Sequence, residues 1–158
     1  MKKIKNIGLL LFLILSTLSF SYQVNYDDVV DIVLRNYPQS RVTKIEISNY
    51  KGKAIYEGET FNKGQKIEFI IDVNTGEVYK MDPNYDDEYN PSYNLPITFE
   101  QASRIALDNS FNGRVKSIEL KNIDKKAYYT VEVRENKAEK EINIDANSGK
   151  VLNIKEST

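Results

Sequence analysis

The sequence predicts an α+β fold made of two tandem repeats, each with one helix packed on a four-stranded antiparallel sheet. The first observation is a duplication, because residues 71–78 (IDVNTGEV) return 73 positions later as residues 144–151 (IDANSGKV). The second is that residues 24–82 align with residues 97–155 without a gap, and 18 of the 59 aligned positions are identical. The third is that, in both copies, the apolar spacing changes from a helical period to a period of two.

The first 21 residues have the composition of a signal peptide. Three lysines precede an apolar run at residues 7–18, and the small residues Ser19 and Ser21 fit a cleavage site. The alternative is an uncleaved membrane anchor, but the run is shorter than the roughly 20 residues that a membrane span needs. We therefore expect a secreted or periplasmic bacterial protein with no membrane span after cleavage.

The composition excludes several classes of chemistry. The chain has no cysteine and no histidine, which removes disulfides, thiol nucleophiles and every site built on imidazole. Without the three leader lysines, the mature chain carries 19 basic and 23 acidic residues, a net charge of −4, which argues against nucleic acid as a partner. We expect no cofactor and no metal, and a protein as the partner.

A helix is predicted at the start of each repeat. Residues 26–37 form the first, with Asn25 as its N-cap and Pro38 ending it. The second begins after Thr98, and Thr98 with Gln101 makes a capping box. The apolar stripes that would face the sheets are Tyr26, Val29, Val30 and Val33 in the first helix and Phe99, Ala102, Ser103 and Ala106 in the second.

Four strands are predicted after each helix. Alternating apolar and polar residues mark the first two, and a third strand leads into the duplicated stretch, which turns into a short fourth strand. The first, second and fourth predicted strands are residues 41–49, 54–61 and 77–81 in the first repeat, and residues 114–122, 127–134 and 150–154 in the second. The third strand carries Ile67, Phe69 and Ile71 in the first repeat and Ile142 and Ile144 in the second.

The duplicated stretch is predicted to be a structural turn. Asp72 and Asp145 close a strand where a carboxylate accepts hydrogen bonds from the next backbone N–H groups, and Gly76 and Gly149 supply positions that tolerate a positive φ. A calcium loop is the alternative reading, because Asp-x-Asn-x-Gly gathers oxygen ligands. The run lacks the further acids and the closing glutamate of an EF-hand loop.

Residues 83–96 are predicted to connect two modules at residues 24–82 and 97–155. Prolines and polar residues argue against regular structure there. Three tyrosines spaced four apart, Tyr85, Tyr89 and Tyr93, either pack across both modules, belong to a loose linker, or meet a partner.

A single helix covers one face of a sheet, so the other face must meet water, the sister module or a ligand. On this outer face the period of two places five apolar side chains among charged neighbours: Tyr50, Ile55, Phe61, Ile70 and Tyr128. Exposed aromatic residues are typical of binding hot spots, and we predict that these five contact a partner. The alternatives are burial between the modules, or a strand register that differs by one residue.

The order of helix, antiparallel strands and closing Asp-x-x-[Thr/Ser]-Gly-x-Val hairpin resembles the PepSY domain, twice over. The residues that carry the resemblance are Ile45-Glu46-Ile47, Tyr56, Ile71-Asp72, Gly76 and Val78, then Ile118-Glu119-Leu120, Tyr129, Ile144-Asp145, Gly149 and Val151. The resemblance implies a module of bacterial envelope and secreted proteins that also occurs in propeptides of thermolysin-like metallopeptidases and is proposed to restrain peptidases. The doubled layout is also similar to β-lactamase inhibitory protein and its relatives. We expect any inhibition to act in trans or on a separately encoded partner, because the sequence contains no protease domain after the second repeat.

The leading hypothesis is therefore a non-catalytic binding module that inhibits or modulates an envelope or extracellular peptidase. The alternative is a structural or sensory envelope component that binds a surface ligand without inhibiting an enzyme. An enzyme is the third class, for which Glu46 with Glu119, or Asp72 with Asp145, would have to pair as acid and base. We expect these carboxylates to lie in equivalent, separate modules and not in one cleft.

Overall fold

The computed structural model describes residues 23–84, 95–123, 126–136 and 138–157. The predicted signal peptide and the three connector tyrosines lie outside the described residues. The two helices are α1 (Tyr26–Asn36) and α2 (Phe99–Asp108). The strands are β1 (Arg41–Tyr50), β2 (Lys53–Asn62), β3 (Gln65–Asp72), β4 (Val78–Asn84), β5 (Arg114–Ile123), β6 (Lys126–Glu135), β7 (Ala138–Asp145) and β8 (Val151–Ser157).

Both helices begin as the sequence predicts. The Asn25 side chain accepts a hydrogen bond from the Asp28 N–H at 2.9 Å, and the Asp28 carboxylate accepts one from the Asn25 N–H. Thr98 and Gln101 form the same reciprocal pair at the start of α2. Each pair satisfies two N–H groups that have no partner within the helix, which fixes the first turn.

The prediction of two four-stranded sheets is only partly right, because all eight strands form one antiparallel sheet. The strand order is β4-β3-β2-β1-β5-β6-β7-β8, so β1 and β5 join the two repeats edge to edge. Each repeat does contribute one helix and four strands. The join could not be read from the sequence, because alternation reveals which face of a strand is buried but not which strand lies beside it.

The seam between β1 and β5 pairs equivalent residues of the two repeats. Ile45 lies opposite Ile118, which is its counterpart in the duplication, and Lys44 lies opposite Glu119. Contacts between equivalent surfaces are the signature of an isologous dimer around a two-fold axis. The chain is therefore folded as a covalently linked dimer of modules.

A continuous core between the helices and one face of the sheet holds both modules together. Val29 and Val33 of α1, and Ala102 and Ala106 of α2, are fully buried there. The sheet side of the core comes from Ile45, Phe69, Ile71, Ile118, Val131, Val133, Ile142 and Ile144, all of them buried. Since the residues at the seam belong to this core, both helices lie on the same face of the sheet.

A buried tyrosine ties the chain that enters each helix to the sheet. The Tyr56 hydroxyl donates to the Val24 carbonyl at 2.8 Å, and the Tyr129 hydroxyl donates to the Ile97 carbonyl at 2.7 Å. Burial raises the pKa of Tyr129, which keeps this hydroxyl a proton donor. The same device thus anchors both helices over the sheet.

The prediction that the connector lacks regular structure is wrong at its first two residues. Strand β4 continues to Asn84 and includes Pro83, which lies opposite Ile67 of β3. Proline is compatible with this position because β4 is an edge strand, where one side of the backbone needs no ladder partner.

Candidate protein-binding face

The face of the sheet opposite the helices is the candidate site, and we call it the open face. Neither of the helices in the described residues covers it. Its side chains come from alternate positions on the strands, beginning with Lys44, Glu46, Ser48 and Tyr50 on β1, as the period of two predicts. Because the sheet is continuous, the open face is one surface shared by both modules.

A tyrosine cluster, made of Tyr50, Ile55, Asp72, Tyr79 and Lys53, lies at one end of the open face. The rings of Tyr50 and Tyr79 approach to 6.2 Å between centroids. The Tyr79 hydroxyl donates to Asp72 Oδ2 at 2.8 Å and accepts from Lys53 Nζ at 3.0 Å. Tyr50 is 38% exposed, whereas Ile55 is only 1% exposed. The cluster therefore combines an apolar centre with an aromatic surface that hydrogen bonds hold in place.

Asp72 organises both the cluster and the turn that follows β3. Its Oδ1 accepts hydrogen bonds from the N–H groups of Asn74 at 2.9 Å and Thr75 at 3.0 Å, while Oδ2 accepts from Tyr79. The bond from Tyr79 and these backbone bonds lower the pKa of Asp72 to about 2. Gly76 completes the turn with a φ of 72°.

The second module repeats the turn without the tyrosine. Asp145 Oδ1 accepts from the Asn147 and Ser148 N–H groups and from the Ser148 hydroxyl, and these bonds lower the pKa of Asp145. Gly149 has the same φ of 72° as its counterpart. Leu152 stands in place of Tyr79 and is 53% exposed. The turn is thus common to both modules, whereas the tyrosine cluster belongs to the first alone.

The five predicted contact residues do not form one patch. Tyr50 and Ile55 lie in the tyrosine cluster, and Ile70 is partly buried on β3, two residues before Asp72. Phe61 is six residues along β2 from Ile55, or about 20 Å away, and Tyr128 lies on β6, three strands from β2, or about 14 Å across the sheet. Ile55 is on the predicted face but is buried there. It can support a binding surface but offers little area of its own.

The sequence reading missed Tyr79 and Lys53. The register of β3 with β4 shifts between Ile70 and Ile71, which marks a β-bulge. A bulge adds one residue to a strand and re-aims the side chains around it, so the period of two fails there. The signal that could have found Tyr79 is its position as the first aromatic residue after the turn.

Ion pairs occupy much of the remaining open face. Lys44 pairs with Glu46 at 3.0 Å, and the hydrogen bond that the Lys44 ammonium donates to the Glu46 carboxylate raises the pKa of Lys44. Lys80 pairs with Glu68 at 3.2 Å across β3 and β4. These lysines, with Glu57, Glu59, Glu68 and Ile70, line a shallow depression of about 250 Å³. This region is a charged surface beside the aromatic one.

Glu46 and Glu119 lie in separate modules, as expected, but the seam between β1 and β5 makes them neighbours. Glu46 lies opposite Ser117 and Glu119 opposite Lys44, so the two carboxylates are diagonal neighbours, with their Cα atoms about 7–8 Å apart. Each is engaged by a lysine of its own strand, Glu46 by Lys44 at 3.0 Å and Glu119 by Lys121 at 3.1 Å. They lie on a flat, solvated surface, which is unlike the enclosed site of an acid–base pair.

In the described parts of the chain, no group of three or more acidic side chains is placed to hold a metal ion. Over the same parts, no helix has the length and apolar character that crossing a membrane requires.

Comparison with known families identifies the modules. The PepSY domain, described as "Peptidase propeptide and YPEB domain", matches residues 23–82 and again residues 96–155. The chain is a tandem PepSY protein. PepSY is a non-catalytic domain family, and membership of it points to a location outside the cytoplasm.

The chain is similar to solved structures to different degrees. A crystal structure described as a lipoprotein of Clostridium difficile 630 has a TM-score of 0.64 and 24% identity, and covers 88% of this chain and 97% of its own. The C-terminal domain of YpeB from Bacillus megaterium has a TM-score of 0.36 and 12% identity, covering 87% of this chain and 67% of its own. No curated protein matches the chain. At this identity, the first structure supports the tandem PepSY fold and nothing further.

Proposed function

We propose that this tandem PepSY protein is secreted or periplasmic and binds a peptidase outside the cytoplasm through the open face, thereby inhibiting or modulating it. The observation that carries the proposal is the placement of both helices on one side of a single eight-stranded sheet. This leaves a broad surface for a partner, and the family description supports a peptidase as that partner.

The tyrosine cluster is the proposed centre of this binding surface. Aromatic residues with a polar tip contribute large apolar area and a hydrogen bond at low entropic cost, which is why they are enriched at interface hot spots. Tyr79 is held on both sides of its hydroxyl by Asp72 and Lys53, so little freedom remains to be lost on binding. The depression beside it carries charges of both signs, from Glu57, Glu59 and Glu68 and from Lys44 and Lys80, and would favour a partner with polar side chains of mixed charge.

Phe61, Ile70 and Tyr128 remain proposed contact residues farther from the centre. A partner that covered both the tyrosine cluster and Tyr128 would span at least three strands and cross the seam. The modules 24–82 and 97–155 would then act as one binding unit, joined covalently by the connector at residues 83–96.

The proposal can be tested by titrating the purified chain into the extracytoplasmic peptidases of its own organism and measuring peptide hydrolysis. We expect hydrolysis to fall with the concentration of the chain and to reach a plateau. The double variant Tyr50→Ala/Tyr79→Ala should weaken the effect by about a hundredfold, since hot-spot truncations cost about 2 kcal/mol or more. Leu152→Ala is the matched control, because Leu152 occupies the position of Tyr79 in the second module.

Three outcomes separate the hypotheses. Loss of inhibition in the tyrosine variant but not in Leu152→Ala supports the proposal. Binding to an envelope ligand with peptide hydrolysis unchanged would replace inhibition by the structural or sensory role. Finding neither a bound protein nor any change in hydrolysis would contradict both.

A further inference from the structure

The two edge strands of the sheet, β4 and β8, are equivalent in the duplication but differ in how their backbone groups are protected. An edge strand carries backbone N–H and C=O groups without ladder partners, and proteins commonly protect such edges. In β4, Pro83 has no N–H to offer, and the Met81 carbonyl accepts a hydrogen bond from the Tyr37 hydroxyl at 3.3 Å. The β4 edge is therefore partly closed to another strand.

The β8 edge has neither form of protection. Glu156 stands where β4 has proline, and Ser110 stands in place of Tyr37, with its hydroxyl donating to the Leu107 carbonyl at 2.9 Å instead. Every residue of β8 keeps its N–H group. Two of its apolar side chains, Leu152 and Ile154, are 53% and 41% exposed.

An exposed aromatic residue in the second module is linked to β8 through a chain of polar contacts. Phe111 is 75% exposed, and its N–H donates to Glu135 Oε1 at 2.9 Å. Glu135 pairs with Lys140 at 3.0 Å, and Lys140 pairs with Glu156 of β8 at 3.4 Å. These contacts link the Phe111 backbone, through two ion pairs, to Glu156 near the end of β8.

We propose that β8 pairs antiparallel with β8 of a second copy of this chain, centred on Ile154. Unpaired backbone groups of an edge strand are satisfied by another extended strand, and a second copy supplies the same groups in reverse order. The internal seam already uses this solution, since it sets Ile45 against its counterpart Ile118. The dimer would extend the sheet from eight strands to sixteen.

The charges of β8 disfavour a shift of this register towards the end of the strand. With the two-fold axis at Ile154, Lys155 of one copy faces Asn153 of the other, and Glu156 faces Leu152. Moving the axis to Lys155 would place two lysines directly opposite each other, and moving it to Glu156 would oppose two glutamates. Like charges that face each other across strands are destabilising.

Cysteine cross-linking tests the register directly, because the chain has no cysteine of its own. In an Ile154→Cys variant, the two thiols would lie on directly opposed residues whose Cα atoms are about 5 Å apart, within the range of a disulfide. In a Glu156→Cys variant, the same atoms would be about 13 Å apart. Val78→Cys places a thiol on the protected β4 edge at 37% exposure and is the matched control.

We expect mild oxidation to produce a covalent dimer from Ile154→Cys and only traces from Glu156→Cys and Val78→Cys. Equal yields from all three variants, or none from Ile154→Cys, would overturn the proposed pairing.

Sedimentation equilibrium of the unmodified chain is the second measurement, and it does not depend on a thiol. We expect a reversible dimer whose dissociation constant rises at least about tenfold in Ile154→Lys, because a charge on an edge strand opposes pairing. Val78→Lys should leave the constant unchanged. A chain that is monomeric at every concentration would refute the proposal. A dimer whose dissociation constant does not change in Ile154→Lys would also refute it.

Discussion

The first and second modules share the same fold but differ in the residues on their surfaces. Both keep the capped helix, the tyrosine that anchors it, and the Asp–Gly turn after the third strand. Only the first has the tyrosine cluster and the protected edge, whereas the second has Leu152 and Ile154 exposed. Features present in both modules are those that the fold requires. Features present in only one module are the candidates for function.

The largest expected effect comes from a packing difference at the centre of the sheet. Gly58 on β2 corresponds to Val131 on β6, and a Cβ atom at Gly58 would collide with the Lys44 carbonyl oxygen and with Cζ of Phe69. We expect Gly58→Val to lower the free energy of unfolding by about 3 kcal/mol, because the backbone of β1 cannot give way easily. Urea unfolding at neutral pH provides the measurement.

The counterpart of Phe69 in the second module is Ile142, which packs against valine without difficulty. The double variant Gly58→Val/Phe69→Ile should therefore recover part, but not all, of the lost stability, since the contact with the Lys44 carbonyl remains. If Gly58→Val alone left the free energy of unfolding unchanged, the two modules would be packed alike at this position.

The anchoring tyrosines should matter equally in the two modules. Tyr56→Phe and Tyr129→Phe each remove a hydroxyl that satisfies a main-chain carbonyl in a buried setting. We expect each to cost about 1–2 kcal/mol in the free energy of unfolding, the usual penalty for leaving such a group without a partner. Chemical denaturation followed by tyrosine fluorescence would measure both. If only one of the two variants lowered the free energy of unfolding, the tyrosine anchor would not stabilise both modules.

The tyrosine cluster makes the stability of the first module depend on pH. The pKa of Asp72 in the folded chain is about 2, below the ordinary value of about 3.9. A lowered folded-state pKa contributes stability that is fully present above the ordinary value and is lost as the pH falls towards about 2. Tyr79→Phe should raise the pKa of Asp72 and reduce this dependence, at a cost of about 1 kcal/mol near neutral pH.

Unfolding by urea at several pH values between about 4 and 2 would test this linkage. Leu152→Ala is the control, because the equivalent side chain makes no hydrogen bond to Asp145. An unchanged pH dependence in Tyr79→Phe would mean that the hydroxyl does not stabilise the ionised Asp72.

The helix caps should give smaller and similar effects. Asn25→Ala and Thr98→Ala each remove a side chain that accepts an N–H bond in the first helical turn. Each should cost about 1 kcal/mol. Thr98→Ala should cost slightly more, because the Thr98 hydroxyl also donates to Asp27 of α1 at 3.0 Å. Thermal unfolding would rank the two, and the reverse order would argue against the contact between the helices.

The smallest effect is expected from the surface ion pairs. Lys155 pairs with Glu141 at 3.3 Å, and its side chain is largely exposed. We expect Lys155→Ala to change the free energy of unfolding by less than about 0.5 kcal/mol, because exposed pairs are screened by water and salt. A larger loss in the same urea assay would show that β8 depends on this pair.

Local features of this fold were readable from the sequence, and long-range ones were not. The capping residues Asn25 and Thr98 act within three residues of themselves, so their pattern in the sequence is sufficient. The seam, in contrast, joins Ile45 to a residue 73 positions away. The alternation of apolar and polar residues does not indicate which strands lie side by side. The candidate site was found only in part, because the position of Tyr79 depends on a bulge that breaks the period of two, and alternation gives the face of Ile55 but not its burial.

The central claim is that the two modules form one sheet with one open face, and a single engineered disulfide across the seam tests it most directly. Glu46 and Ser117 lie directly opposite each other on β1 and β5. The double variant Glu46→Cys/Ser117→Cys should therefore form an intramolecular disulfide on mild oxidation, because opposed Cα atoms lie within disulfide range. Its formation in a monomeric, folded chain is the predicted result. Two thiols that stay free under the same oxidation would contradict the seam and, with it, the shared binding face.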